Sequence, residues 1–232
     1  MNTELIVALD VSSANQIPEF VQQLPDNVRF YKVGLELFTA AGPGALTYLK
    51  KAGKKVFLDL KLHDIPRTVA RAVNSASQLG VDILTVHACG GRAMLEAAAE
   101  ASNNRLHIVA VTVLTSLDQT DLEAIGVARE LRNHIAALGQ LAIESGINGL
   151  VCSPLETGSF RQNLGPKPIL ITPGIRPAGT AAGDQKRIAT PAMAAADGAS
   201  YIVVGRPILE ADNPGAAAEQ IIAELQTAQA PV

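Results

Sequence analysis

The stretch Lys55-Val56-Phe57-Leu58-Asp59-Leu60-Lys61-Leu62-His63-Asp64-Ile65-Pro66 sets an apolar run directly against two carboxylates and an ammonium group. Val56, Phe57 and Leu58 read as a buried strand. Side chains two apart on a strand share a face, so Asp59 and Lys61 are expected to point the same way, with Leu60 and Leu62 facing the opposite layer. Asp64 falls just past the strand's carboxyl end, and Pro66 begins a helix predicted to run to Leu79 and stop at Gly80. Three charged side chains therefore converge at one strand mouth, and chemistry is expected there.

The same pattern, an apolar run closed by a polar or glycine-bearing turn, recurs at 5–10, 29–34, 56–61, 83–87, 108–115, 149–153, 169–174 and 201–206. The spacing of roughly 20 to 40 residues leaves room each time for one helix and two turns, the period of a strand–helix unit. Eight such units predict an α/β fold, a (β/α)8 TIM barrel, with residues 1–232 forming a single domain. Helix signals fall where this scheme needs them. Ser153-Pro154-Leu155-Glu156 has the form of a capping box with Pro at the first helical position, Thr190-Pro191 opens a helix ended by Gly198, and Asn213-Pro214 opens the last one. Between the fifth and sixth runs, residues 117–146 are expected to make two helical pieces broken near Gly126.

Composition agrees with a parallel sheet covered by helices. Apolar residues make up 48% of the 232 positions, and the aromatics amount to five Phe, three Tyr and no Trp. A formal charge of -3 gives no field to attract nucleic acid or an anionic membrane, so any anion must be caught locally. Cys89 and Cys152 lie in apolar segments without metal-type spacing and read as buried free thiols, which fits a reducing, cytoplasmic setting. No signal peptide is expected, and no run approaches the length of a membrane span.

Barrel enzymes place their sites where strands end, which makes Asp10, Lys32, Asp59, Lys61, Asp64, His87, Thr115, Ser153, Arg176 and Arg206 the candidates. Each has a bland reading beside the functional one. Asp59 and Lys61 can be an ion pair that closes the mouth, although a desolvated pair is a weak stabiliser. Lys61 can serve as a protonated donor or, if desolvated, as a Schiff-base amine; neighbouring aspartates favour the first. Asp10, Asp64 and Ser153 can be helix caps, Lys32 can snorkel, and His63 and His87 lack the spacing of a metal pair. On the far side of the ring, P-G-I-R at 173–176 and V-G-R-P at 204–207 offer backbone N–H groups and arginine forks for a phosphate. The polar connection 176–190, which carries Gln185, reads as a closing lid.

Taken together, L-D at 9–10, K-V-G at 32–34, D-L-K-L-H-D-I-P at 59–66, V-T-V-L-T-S at 111–116, P-G-I-R-P at 173–177, G-D-Q at 183–185 and V-G-R-P at 204–207 resemble the orotidine 5'-phosphate decarboxylase family. The resemblance implies a cofactor-free, metal-free decarboxylation that yields uridine monophosphate, with Lys61 protonating the C6 carbanion and Asp59 near the departing carboxylate. It further implies that Asp10 and Lys32 hold the ribose, that Thr68 contacts substrate, and that Thr115 and Ser153 border the nucleotide. Gln185, Gly205 and Arg206 would bind at the phosphate end, and Arg176, which begins the closing loop, matches a ligand-binding position of the family. A homodimer is implied, with Asp64 reaching the partner's site. Rival readings are a Mg2+-dependent sugar-phosphate enzyme of the same barrel group, a Schiff-base aldolase, and a phosphate-ligand sensor. The K-V-G and G-D-Q motifs weigh against the first, and the presence of both Lys61 and Asp59 weighs against the last.

Overall fold

All eight apolar runs form strands, and the strands pair in chain order into one closed parallel barrel in a computed structural model that describes residues 2–177 and 189–229. They are β1 (Glu4–Ala8), β2 (Phe30–Gly34), β3 (Lys55–Leu62), β4 (Ile83–His87), β5 (His107–Val111), β6 (Gly149–Val151), β7 (Ile169–Thr172) and β8 (Tyr201–Val204). Several strands stop short of the sequence runs, so Asp10, Thr115, Ser153 and Arg176 sit in the turns beyond them and Arg206 opens a short helix. Helices lie between successive strands, among them Pro66–Gln78 after β3, with Leu79 as its cap and Gly80 at φ 71. The long fifth connection holds two helices, Gln119–Ala124 and Leu131–Glu144, with Gly126 at φ 83 between them.

Alternation along the strands divides the core in two. Leu58, Leu60 and Leu62 pack outward against the helices, while Phe57 joins Ile6, Ala8, Phe30, Ile83, Val109, Ile171 and Val203 inside the barrel. Phe30 and Tyr201 meet edge to face at 5.3 Å between centroids, with the Lys55 Nζ 5.5 Å from the Phe30 ring, at the amino ends of their strands. With the interior filled by hydrocarbon, the polar positions Lys32, Asp59, Lys61 and Thr85 are left to the carboxyl-end mouth.

The amino-end rim has a repeating tie. Asp82, Asn148 and Ser200, each one residue ahead of an even-numbered strand, accept the N–H of Val56, Ile108 and Leu170 through their side chains at 2.8, 2.8 and 3.1 Å. Each also donates its own N–H to the carbonyl of that same residue, at 3.0, 3.0 and 2.8 Å. Ahead of β2 the equivalent residue, Arg29, reaches the first residue of β1, Glu4, at 3.9 Å. Arg161, on the helix Pro154–Leu164, braces this rim by donating to Gly165, Pro168 and Gly198 carbonyls and to Ser200 Oγ.

One expectation needs correcting. Cys152 is buried, but Cys89 is exposed, because it falls on the short 3-10 turn Ala88–Gly90 at the end of β4 and not within a strand. Among the described residues no helix is long and apolar enough to cross a membrane.

Candidate active site

The Asp59–Lys61 pair forms, and it forms on a break in the strand. Leu58 pairs with Leu84 and Leu62 with Val86, so β3 spends extra residues against β4 over this interval. Lys61 absorbs the irregularity at φ 51, a left-handed conformation that costs a side-chain-bearing residue about 1–2 kcal/mol. Its ammonium lies 2.9 Å from both Asp59 oxygens, and its backbone N–H leaves the sheet ladder to bond Thr85 Oγ1 at 2.8 Å. Thr85 in turn lies 3.0 Å from Asp59 Oδ1. Sequence reading passed over Thr85. The available signal was a polar residue on the interior-facing side of an otherwise apolar strand.

Beside this pair stands a second. Lys32 Nζ donates to Asp10 Oδ1 at 2.8 Å, so Asp10 serves as a partner to Lys32 and the neighbouring helical turn is capped by Ser13. Two glycines make room for it. A Cβ on Gly34 would stand 2.9 Å from Lys32 Nζ, and one on Gly205 would stand 3.1 Å from Asp10 Oδ2. The K-V-G and V-G-R motifs thus meet at one charged pair. Lys32, Asp59 and Lys61 share a cavity of about 190 Å³ whose other wall includes Phe57, Val111, Val113, Val151, Pro173 and Val203, and Thr115 lines it too. Charge on one side faces hydrocarbon on the other.

Ser153 is fully buried beside cavity-lining Cys152. Only the Glu156 half of its capping pair closes as a hydrogen bond. The Ser153 N–H donates to Glu156 Oε2 at 2.7 Å, while the Ser153 hydroxyl, although placed over the helix start, has no hydrogen-bond partner among the described residues. Asp64 is not the cap of the helix Pro66–Gln78 either. That position belongs to Ile65, and Asp64 stays exposed at the rim with its Oδ1 accepting the adjacent Ile65 N–H at 2.7 Å. Thr68 sits in the first helical turn, its N–H bonded to the Ile65 carbonyl. Around this rim Ile65 and Leu35 are 67% and 54% exposed, and Leu114 is exposed as well.

On the phosphate-motif side, Gly205 precedes the short helix Arg206–Leu209, and Arg206 is exposed. Ile175 pairs with Ala189, and the Arg176 N–H donates to the Ala189 carbonyl at 2.9 Å, which fastens the two ends of the intervening connection together. Gln185 and the G-D-Q motif lie outside the described residues.

The His63 and His87 rings lie tilted at 46° with 5.7 Å between centroids, and among the described residues no cluster of three metal-type ligands occurs. Burial, followed by the charges of His63 and Lys61, pulls the His87 imidazole below its usual range, against a smaller opposite pull from Asp59. Below about pH 6.5 the unfolded chain therefore takes up a proton that native His87 resists, and stability falls as pH drops through that value toward the folded pKa. His134 is shifted the same way by burial and Arg129, so a variant is needed to isolate the effect. Between pH 7.5 and 5.5, His87→Gln should lose less stability than wild type in urea titrations, by about 0.3–1 kcal/mol after solvent screening. Equal losses would remove His87 from the account. Burial also pushes the Cys152 thiol up to about 12, so the one cysteine against the cavity is a poor nucleophile.

The family model for "Orotidine 5'-phosphate decarboxylase / HUMPS family" matches residues 3–221. The chain belongs to this family. Within the family, the orotidine 5'-phosphate decarboxylase of Rhodopseudomonas palustris (strain BisB5) is 51% identical over 224 residues, covering 97% of this chain and 95% of the relative. That of Moorella thermoacetica is 48% identical over 232 residues, covering 96% and 92%. The crystal structure of orotidine 5'-phosphate decarboxylase from Lactobacillus acidophilus superposes with a TM-score of 0.87 at 38% identity, covering 97% of this chain and 99% of that one.

Proposed function

We propose that the chain is an orotidine 5'-phosphate decarboxylase, the name its relatives carry, and that it converts that nucleotide to uridine 5'-phosphate and carbon dioxide in pyrimidine biosynthesis. The observation that carries this reading is the Lys61 ammonium held by both Asp59 oxygens at 2.9 Å inside the mouth cavity. Loss of carbon dioxide breaks the bond between C6 and its carboxylate and leaves the electron pair on C6. The ring has no orbital that delocalises that pair, so positive charge must stand where it develops. Lys61 supplies the charge and then gives one proton to C6. The neutral amine regains a proton from solvent after product leaves.

In this reading Asp59 fixes the ammonium and lies beside the departing carboxylate, and the apolar wall of Val111, Val113, Val151 and Val203 keeps water from the carbanion. Asp10 and Lys32 hold the ribose hydroxyls, Thr115 borders the nucleotide, and the Ser153 hydroxyl, without a partner among the described residues, lies near the pyrimidine. Gly205, Arg206, Arg176 and Gln185 bind toward the phosphate, at the turns after β7 and β8 where barrels commonly hold one. The reaction needs no cofactor or metal, and the two unpaired thiols fit a reducing cytoplasm. The test is the ultraviolet absorbance of orotidine 5'-phosphate with protein in excess EDTA, with released carbon dioxide assayed in parallel. Turnover supports the reading. An untouched nucleotide with folded protein defeats it, and sugar-phosphate chemistry rescued by Mg2+ would replace it.

A homodimer with shared sites is part of the same proposal. The exposed Leu35, Ile65 and Leu114 surround the mouth with hydrocarbon that a second subunit would cover, and exposed Asp64 stands among them. Asp64 then reaches the partner's substrate, and Thr68 contacts substrate. Lys61→Ala and Asp64→Ala homodimers are each expected to be strongly impaired, and a mixed dimer should regain one intact site of its two. If verified mixed dimers recover nothing, Asp64 does not cross to the partner.

A further inference from the structure

Thr85 occupies the middle of β4, fully buried, two residues before His87. Its hydroxyl makes two contacts of opposite sense. A backbone amide can only donate, so Thr85 Oγ1 accepts from the Lys61 N–H, and the single hydroxyl proton is then directed to Asp59 Oδ1. Since Lys61 Nζ also donates to Asp59 Oδ1, the bonds close a ring that runs from the Lys61 backbone through Thr85 and Asp59 back to the Lys61 side chain. That ring satisfies the amide of the irregular residue. It also sets the rotation of the Asp59 carboxylate so that both its oxygens face the ammonium. Bonds linked in this way strengthen one another in a site of low dielectric.

We infer that Thr85 is the positioning residue of the Asp59–Lys61 pair, holding the left-handed turn at Lys61 and the orientation of its counter-ion. It acts through those two side chains and is not among the residues lining the cavity. The kinetic consequence rests on the decarboxylase reading, whereas the positional one does not.

The test uses the full chain with Thr85→Val, Thr85→Ser and Thr85→Cys. Valine preserves shape and removes both bonds, so kcat for orotidine 5'-phosphate should fall about 100-fold while KM stays within about threefold, the signature of a group that matters at the transition state. Serine keeps the hydroxyl and should remain within about threefold of wild type in both constants, while cysteine, a weak donor and acceptor, should lose about 10-fold in kcat. A Thr85→Val enzyme with wild-type kcat, or one whose loss lies in KM, overturns the inference. If the valine variant does not fold, equal kcat for the serine and cysteine variants overturns it. Wild type is assayed first, because a wild type without turnover defeats the functional reading alone. The inference is then decided by the acylation rate of the Lys61 amine, read by peptide mass spectrometry. That rate should differ several-fold between wild type and the cysteine variant, and an unchanged rate overturns it.

Discussion

Lys61→Ala is expected to lower kcat on orotidine 5'-phosphate by roughly 10⁵-fold, from the combined loss of a positioned proton donor, about 10²–10⁴, and of an electrostatic stabiliser, about 10²–10³. Few single substitutions outside an active site have that effect without unfolding the protein. Here the fold should survive. Lys61 contributes only one member of a mouth cluster, its side chain is 28% exposed, and Asp59 keeps its Thr85 contact when the ammonium is gone. Lys61→Arg separates charge from placement. The guanidinium retains a positive charge but is planar, bulkier and effectively never deprotonated, so it cannot hand a proton to carbon from the same point. Its kcat is expected to lie near that of the alanine variant. A Lys61→Ala enzyme within about 100-fold of wild type would mean that the proton and the charge come from elsewhere.

The other large effect is on stability and lies at the opposite end of the barrel. Arg161 donates to the Gly198 carbonyl at 2.8 and 3.1 Å, to Gly165 at 2.9 Å, to Pro168 at 3.0 Å and to Ser200 Oγ at 3.3 Å. Its acceptors belong to the turns leading into β7 and β8, so one guanidinium gathers the helix Pro154–Leu164 and two strand approaches. Hydrogen bonds from a charged group are worth about 1.5–3 kcal/mol each, and orphaned carbonyls add their own cost. Arg161→Met is therefore expected to destabilise by about 3–5 kcal/mol, a large part of a typical total of about 5–15. For a chain of this size that is a fall in Tm on the order of 10 °C. Calorimetry would measure it. Well below the new transition kcat should be unchanged, since Arg161 is remote from the mouth. A shift of under about 1 kcal/mol would show that water replaces the fork at no cost.

Much of this was legible in the sequence, for physical reasons that differ by residue. The barrel could be read because each strand is buried on both sides and hence a continuous apolar run, separated by helices whose caps and prolines are local signals. Asp59 and Lys61 could be placed together because alternation is a property of any strand. The left-handed turn at Lys61 could not be read, since nothing in the residue type requests it; the cause is a register change against β4 and a hydroxyl from another strand. Gly34 and Gly205 are similar. Their lack of a side chain is explained only when Asp10 and Lys32 are seen against them. Ser153 reads as a cap and holds the N-cap position, whereas the lack of a partner for its hydroxyl among the described residues depends on a burial that sequence does not report. Asp64 is the reverse, a residue with the right position for a cap that the chain does not use.

The ties at the amino-end rim divide the barrel unevenly. Val56, Ile108 and Leu170 are each gripped twice by the residue ahead of the next strand, through main chain and side chain together. Where one such couple meets the next, the amides of Lys55, His107, Ile169 and Glu4 reach the carbonyls of Arg29, Asp82, Asn148 and Ser200 by main chain alone. Main-chain bonds accept any sequence, whereas each side-chain grip needs an acceptor at the one residue ahead of the even-numbered strand, set against the main-chain amide of the strand before it. The natural unit of exchange between this barrel and its relatives is consequently two strands with their helices. A chimera joined after an even-numbered strand keeps these three grips within one parent, and one joined after an odd-numbered strand sets the acceptor side chain of one parent against the amide of the other.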